Sequence, residues 1–224
     1  MKHQYTILFD LDGTLVDTAP DLMRAHNHVM KKFGYPTKST EEIRNLVGQG
    51  AGAMLGRSIW GQAKKEFGKV QDEKIKKEMV KDFVDFYGKN IVNESTLIKG
   101  VKDFLLWAKE KNISMGVCTN KQEHLAVDLL KKIGIYDFFE YVAGHNTFNY
   151  CKPDPRHLTS VIEILNGDIK KSLMIGDSET DANAAKEAGM PGGVKTASLA
   201  MLEVSKGAQE KFSEVVELVK GLSN

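Results

Sequence analysis

Short apolar runs separated by helix-patterned stretches constrain this chain more than any other feature. Runs that read as buried strands cover residues 5–9 ("YTILF"), 113–118 ("ISMGVC"), 140–143 ("EYVA") and 172–175 ("SLMI"), with a weaker one at 193–195. Between them Val101, Phe104, Leu105 and Ala108 recur at helical spacing, as do Leu125, Leu129, Leu130 and Ile133 ahead of a capping Gly134. Residues 154–165 and 179–188 supply two further helices, the second closed by Gly189. Strand–helix alternation predicts an α/β fold, a Rossmann-like parallel sheet with helices on both faces. Right-handed crossovers then gather the strand ends on one edge, where open α/β sheets bind ligands.

Residues 17–90 break that rhythm with helical patterns and no intervening strand. Leu22, His26, Val29, Met30 and Phe33 form one apolar stripe, and Ile75, Met79, Phe83 and Phe86 another. A further helix candidate covers about 52–66, ending at Phe67. This is the pattern of an inserted helical bundle. The expected organisation is a core of residues 1–16 and 95–224 with a helical domain at 17–94. The stretch "EKFSEVVELVKG" near the end reads as a terminal amphipathic helix.

Composition narrows the function classes. The 224 residues carry a net charge of +1 with both signs interspersed, so there is no basic stripe for nucleic acid. No run approaches the length of a membrane span. Cys118 and Cys151 are too few for a disulfide framework and fit a reducing compartment. These features predict a cytoplasmic globular protein; they fix no oligomeric state, and a monomer is the default expectation with a homodimer through exposed helices as the alternative.

The first strand ends in "DLDGT", which puts Asp10 and Asp12 one residue apart beside Gly13. Buried carboxylates are costly unless paired, hydrogen-bonded or bound to metal. Other strand ends are also polar. Cys118 is followed by Thr119 and Asn120, Lys152 lies in "CKPDP" beyond the third run, and "GDSETD" places Asp177 and Asp181 after "SLMI". In a parallel sheet these ends converge although they are distant in sequence. Several carboxylates without a thiolate cluster point to a hard, oxygen-ligated ion, most simply Mg²⁺, and to a phosphate ligand. One carboxylate can then attack phosphorus as a covalent nucleophile.

Taken together, "FDLDGTLVDT", "TN" at 119–120, "KPDP" at 152–155 and "GDSETD" at 176–181 resemble the four motifs of the haloacid dehalogenase-like hydrolase superfamily. The resemblance runs over residues 5–190, and the helical insert is similar to that family's smaller helical cap. It implies that Asp10 is the nucleophile forming an aspartyl-phosphate. Asp12 would be the acid/base, Thr119 would hydrogen-bond the phosphoryl group with Asn120 adding backbone or side-chain polarity nearby, and Lys152 would balance charge. Asp177 would hold Mg²⁺ with the Asp10 side chain and the Asp12 main-chain carbonyl, while Asp181 orients the metal shell. Asp12 also distinguishes the phosphatases from the dehalogenases of the superfamily.

The cap segment "VGQGAGAMLGRS" at 47–58 resembles that of phosphoglycolate phosphatases. Gly50 would allow a tight turn there, and Arg57 a bidentate contact to a small carboxylate. The chain departs from the subgroup at "PGGVKTASLAML", at His145, where relatives often carry Asp, and at Lys99, where they often carry Pro. His145 remains a candidate for the cleft rim. The expected partner is a small phosphorylated metabolite, with 2-phosphoglycolate favoured. Alternatives are a phosphatase for a nucleotide, sugar phosphate or pyrophosphate, a β-phosphoglucomutase-like mutase, and a non-catalytic phosphate-binding module.

Overall fold

A computed structural model describes residues 5–60, 70–190 and 193–194. The expected helix at 210–221, Phe67 and Lys195 lie outside the described residues. The chain divides into two compact units, one comprising residues 1–17 and 97–224 and the other residues 18–96.

The first unit is built on five parallel strands: β1 (Thr6–Phe9), β4 (Ser114–Cys118), β5 (Tyr141–Ala143), β6 (Ser172–Ile175) and β7 (Gly193–Val194). Their order is β5-β4-β1-β6-β7, so the first strand lies at the centre of the sheet. A further pair of two-residue strands, β2 (Val16–Asp17) and β3 (Thr96–Leu97), forms a small separate sheet. Thr6 is in register with Ser114 on one side and Ser172 on the other, which brings the carboxyl ends of β1, β4 and β6 level.

Alternation along β1 sends its side chains to two helical layers. On one face Phe9 meets Phe104, from helix α5 (Val101–Glu110), edge-on at 5.8 Å, and Phe139 at the same distance. On the other face Leu8 belongs to a core with Leu158 and Val161 of α7 (Arg156–Ile164) and Ala184 and Ala185 of α8 (Glu179–Glu187). Gly116 in the neighbouring strand faces this second layer, where an added Cβ would press on Leu8, Leu165 and Val161. The helix α6 (Glu123–Ile133) ends on Gly134 in the left-handed conformation, as its sequence predicts.

The second unit is helical: α1 (Ala19–Phe33), α2 (Thr40–Arg44), α3 (Gly50–Trp60) and α4 (Val70–Lys89). In α1 the predicted stripe is buried at Leu22, His26, Val29 and Met30. In α4 the buried row is Met79, Phe83 and Tyr87, with the last position one residue beyond the Phe86 read from sequence. Four-residue steps keep these side chains on one face. Phe86 stacks instead on the exposed His28, with ring centroids 4.2 Å apart. A buried carboxylate ties the unit together. Asp21 accepts hydrogen bonds from the backbone N–H groups of Asn93 (3.1 Å), Glu94 (3.0 Å) and Ser95 (2.8 Å), and from Ser95 Oγ (2.7 Å).

Candidate active site

The central strand delivers Asp10 to the sheet edge. Its backbone N–H donates to Ile175 O at 2.8 Å, so β1 stays paired with β6 through the nucleophile candidate. Beyond it the chain curls tightly, and Leu11 O accepts from the N–H groups of Thr14, Leu15 and Val16. Gly13 makes this curl possible with φ +78, and its missing side chain admits the Asp177 carboxylate, which a Cβ would overlap.

Asp10 is 2% exposed, and its Oδ1 takes two close contacts. Leu11 N donates to that oxygen at 2.8 Å, and Lys152 Nζ stands 3.0 Å from it. Lys152 also donates to Asp181 Oδ1 at 2.5 Å. The other oxygen of Asp181, Oδ2, accepts from Ser178 N at 3.1 Å and Ser178 Oγ at 2.6 Å, closing a capping box at the start of α8. Asp181 is therefore fixed from both sides. Gly176 passes so close that a Cβ there would collide with it.

One carboxylate oxygen from each of Asp10, Asp177 and Asp181 lies within 4.8 Å of the others. Burial pushes the Asp10 carboxyl up to about 7; Lys152 opposes this, while Asp181, Asp177 and Asp12 reinforce it. Desolvation and then Asp181 push Asp177 up to about 6, although Asp177 still reaches solvent. Burial acts against the Lys152 ammonium, but Asp10 and Asp181 outweigh it and hold the lysine charged. Crowded carboxylates that resist ionisation are stabilised by a hard divalent cation, and the all-oxygen donor set suits Mg²⁺.

The remaining candidates occupy distinct places. Thr119 is buried at the end of β4, and its N–H donates to Ala143 O at 2.9 Å. Asn120 Nδ2 donates to Lys152 O at 3.0 Å, which links the second strand end to the lysine segment. Asp12 meets a second lysine: its Oδ1 lies 3.0 Å from Lys121 Nζ. His145 is exposed, and its backbone N–H donates to Lys121 O at 2.8 Å. Gly50 and Arg57 belong to the helical unit. Gly50 opens α3 with φ +82, and Arg57 donates to Leu46 O.

Lys121 escapes the sequence reading altogether. Its only sequence signal is its place directly after the Thr119–Asn120 pair, in a chain with 31 Lys and Arg residues. His157 is fully buried beside Phe148. Burial and then Lys152 push its imidazole down to about 4, so it packs as a neutral ring. Cys118 is a buried member of the core, and burial pushes its thiol up to about 12.

The model of the haloacid dehalogenase-like hydrolase family matches residues 7–194, most of the chain. The chain belongs to the haloacid dehalogenase-like hydrolase family. It is 38% identical over 187 residues to a phosphoglycolate phosphatase of Caulobacter vibrioides, covering 84% of this chain and 77% of that protein. The crystal structure of a predicted phosphoglycolate phosphatase from Haemophilus somnus superposes with a TM-score of 0.74 at 32% identity, covering 85% of this chain and 84% of that one. A β-phosphoglucomutase of Clostridium difficile shares the fold, with a TM-score of 0.73 at 22% identity over 97% of this chain and 98% of that one. Family membership and the acidic cluster together make this chain a Mg²⁺-dependent phosphatase of the family. Among the described residues no helix is long and apolar enough to cross a membrane.

Proposed function

We propose that the chain hydrolyses the phosphomonoester of a small metabolite, with 2-phosphoglycolate as substrate and glycolate and phosphate as products. The observation that carries this reading is the division of labour between two neighbouring carboxylates. Asp10 is paired with Lys152 within an acidic cluster, while Asp12 Oδ1 lies 3.0 Å from a different lysine, Lys121. The choice of 2-phosphoglycolate is supported by the Caulobacter relative and by the cap segment around Gly50 and Arg57.

In this mechanism a carboxylate oxygen of Asp10 attacks phosphorus and the ester P–O bond breaks. Asp12 delivers its proton to the departing alkoxide. It then takes a proton from water as that water attacks the aspartyl-phosphate, releasing phosphate and restoring Asp10. Thr119 donates to the phosphoryl group, Asn120 adds backbone or side-chain polarity nearby, and Lys152 compensates negative charge beside the nucleophile. Asp10, Asp177 and the Asp12 main-chain carbonyl would hold Mg²⁺, with Asp181 orienting that group and Lys152 together. When bound, Mg²⁺ supplies charge neutralisation and orientation of the phosphoryl oxygens. Cytoplasmic location belongs to this reading, as the free cysteines Cys118 and Cys151 suit a reducing compartment.

A panel of small phosphate esters assayed for phosphate release in Mg²⁺ tests the substrate. The reading expects 2-phosphoglycolate to give the highest kcat/KM; faster turnover of sugar phosphates or nucleotides contradicts it. Isomerisation of a sugar phosphate without net phosphate release would identify a mutase instead.

A further inference from the structure

Among the described residues, Lys121 is a buried cation beside Asp12 that the mechanism above does not use. Its side chain is 5% exposed and its ammonium lies 3.0 Å from Asp12 Oδ1, whose side chain is 12% exposed. A lysine is seldom enclosed to this extent without a specific charge partner, because stripping water from an ammonium is costly.

The backbone that carries this side chain is held on both sides. Lys121 N–H donates to Thr119 Oγ1 at 3.2 Å, and Lys121 O accepts from His145 N at 2.8 Å. Gly144 packs so tightly against this turn that a Cβ would overlap Lys121 O and the backbone of Glu123. The turn after β4 is thus clamped against the loop after β5, which fixes the backbone from which the lysine projects.

The two buried lysines serve different halves of the reaction. Lys152 spans Asp10 and Asp181, on the phosphoryl side. Lys121 adjoins the carboxylate that must come within about 3 Å of the ester oxygen to protonate it. When Asp12 Oδ1 delivers the proton, the ammonium comes within roughly 6 Å of that oxygen, a distance that substituents on the alcohol can span.

We propose that Lys121 binds an anionic group on the alcohol half of the substrate and so makes the core itself selective for phosphorylated hydroxy acids. For 2-phosphoglycolate that group is the carboxylate next to the ester-bearing carbon. The inference rests on the assignment of Asp12 as the acid/base and deepens the substrate reading. A compact ammonium meets a carboxylate as a point charge without demanding one orientation, which suits a small, rotatable acid.

The test compares kcat/KM for 2-phosphoglycolate and its neutral amide, and for 3-phosphoglycerate and its amide, in wild-type protein, Lys121→Met and Lys121→Arg. Wild type is expected to prefer the acids by about 10- to 100-fold, the worth of one charge-assisted contact. Lys121→Met brings that ratio to within about 3-fold of one, mainly through KM for the acids, and Lys121→Arg restores part of it. If Lys121 only partnered Asp12, Lys121→Met would slow acid and amide by the same factor and leave the ratio intact; that outcome overturns the proposal. Should Lys121→Met fail to fold, the wild-type ratios still decide it, since no preference for the acid in either pair overturns it. A wild type that ignores 2-phosphoglycolate but prefers 3-phosphoglycerate over its amide removes the favoured substrate and leaves the role of Lys121 standing.

Discussion

The Lys152 ammonium stands 3.0 Å from Asp10 Oδ1, with both side chains almost wholly enclosed. The same ammonium reaches Asp181 at 2.5 Å, so one lysine holds two carboxylates that would otherwise repel each other. Lys152→Met is therefore expected to remove detectable turnover and to destabilise the protein by about 3–5 kcal/mol, the cost of leaving buried charges unpartnered. Urea unfolding in EDTA, read beside phosphate release in Mg²⁺, checks both halves. A variant as stable as wild type would show that this pair is not electrostatically coupled.

Gly13→Ala tests the close approach of two chain segments. The φ of +78 is unfavourable for alanine, and its Cβ would displace the Asp177 carboxylate. The expected result is at least a roughly tenfold rise in the Mg²⁺ concentration needed for half-maximal activity, because cation affinity depends on how its ligands are held. A Mg²⁺ titration of activity, with circular dichroism to confirm folding, measures it. An unchanged Mg²⁺ requirement contradicts the packing.

In the helical unit, Asp21→Ala leaves the N–H groups of Asn93, Glu94 and Ser95 without their acceptor. The expected loss is about 2–4 kcal/mol of stability, at the upper end for buried hydrogen-bonding groups. Asp21→Asn retains an acceptor and should lose less. Equal stability of both variants and wild type in thermal unfolding would contradict the arrangement.

The acidic cluster makes metal-free stability depend on pH. Asp10 is held at about 7 in the folded chain against an ordinary 3.8. Between those values the folded chain keeps a proton that the unfolded chain has released. The contribution of this group is fully present below about pH 4 and is lost as pH rises through 7. Mg²⁺ binds the ionised form, so the rise in Tm on adding Mg²⁺ should be larger at pH 7.5 than at pH 5. Scanning calorimetry in EDTA and in Mg²⁺ at the two pH values checks this, and equal increments would contradict it.

Much of the core was legible because parallel topology carries its own geometry. Once short apolar runs alternate with helices, Asp10, Thr119 and Asp177 must share an edge, as the common register of β1, β4 and β6 shows. Lys121 was not legible, because its partners, Asp12 and the turn at 144–145, are distant in sequence. Asp21 was hidden for the same reason: its partners lie at 93–95, and a carboxylate in a first helical turn reads as a dipole partner. The exchange of Phe86 for Tyr87 reflects the helix period itself, since steps of three and four are both compatible with one stripe until packing selects between them.

The claim that Asp10 is the nucleophile of a Mg²⁺-dependent phosphatase is tested most directly by phosphate release from 2-phosphoglycolate, comparing wild type with Asp10→Asn in Mg²⁺ and in EDTA. The account predicts turnover by wild type in Mg²⁺ alone, and none by Asp10→Asn under either condition. Turnover that persists in EDTA, or in Asp10→Asn, would contradict it.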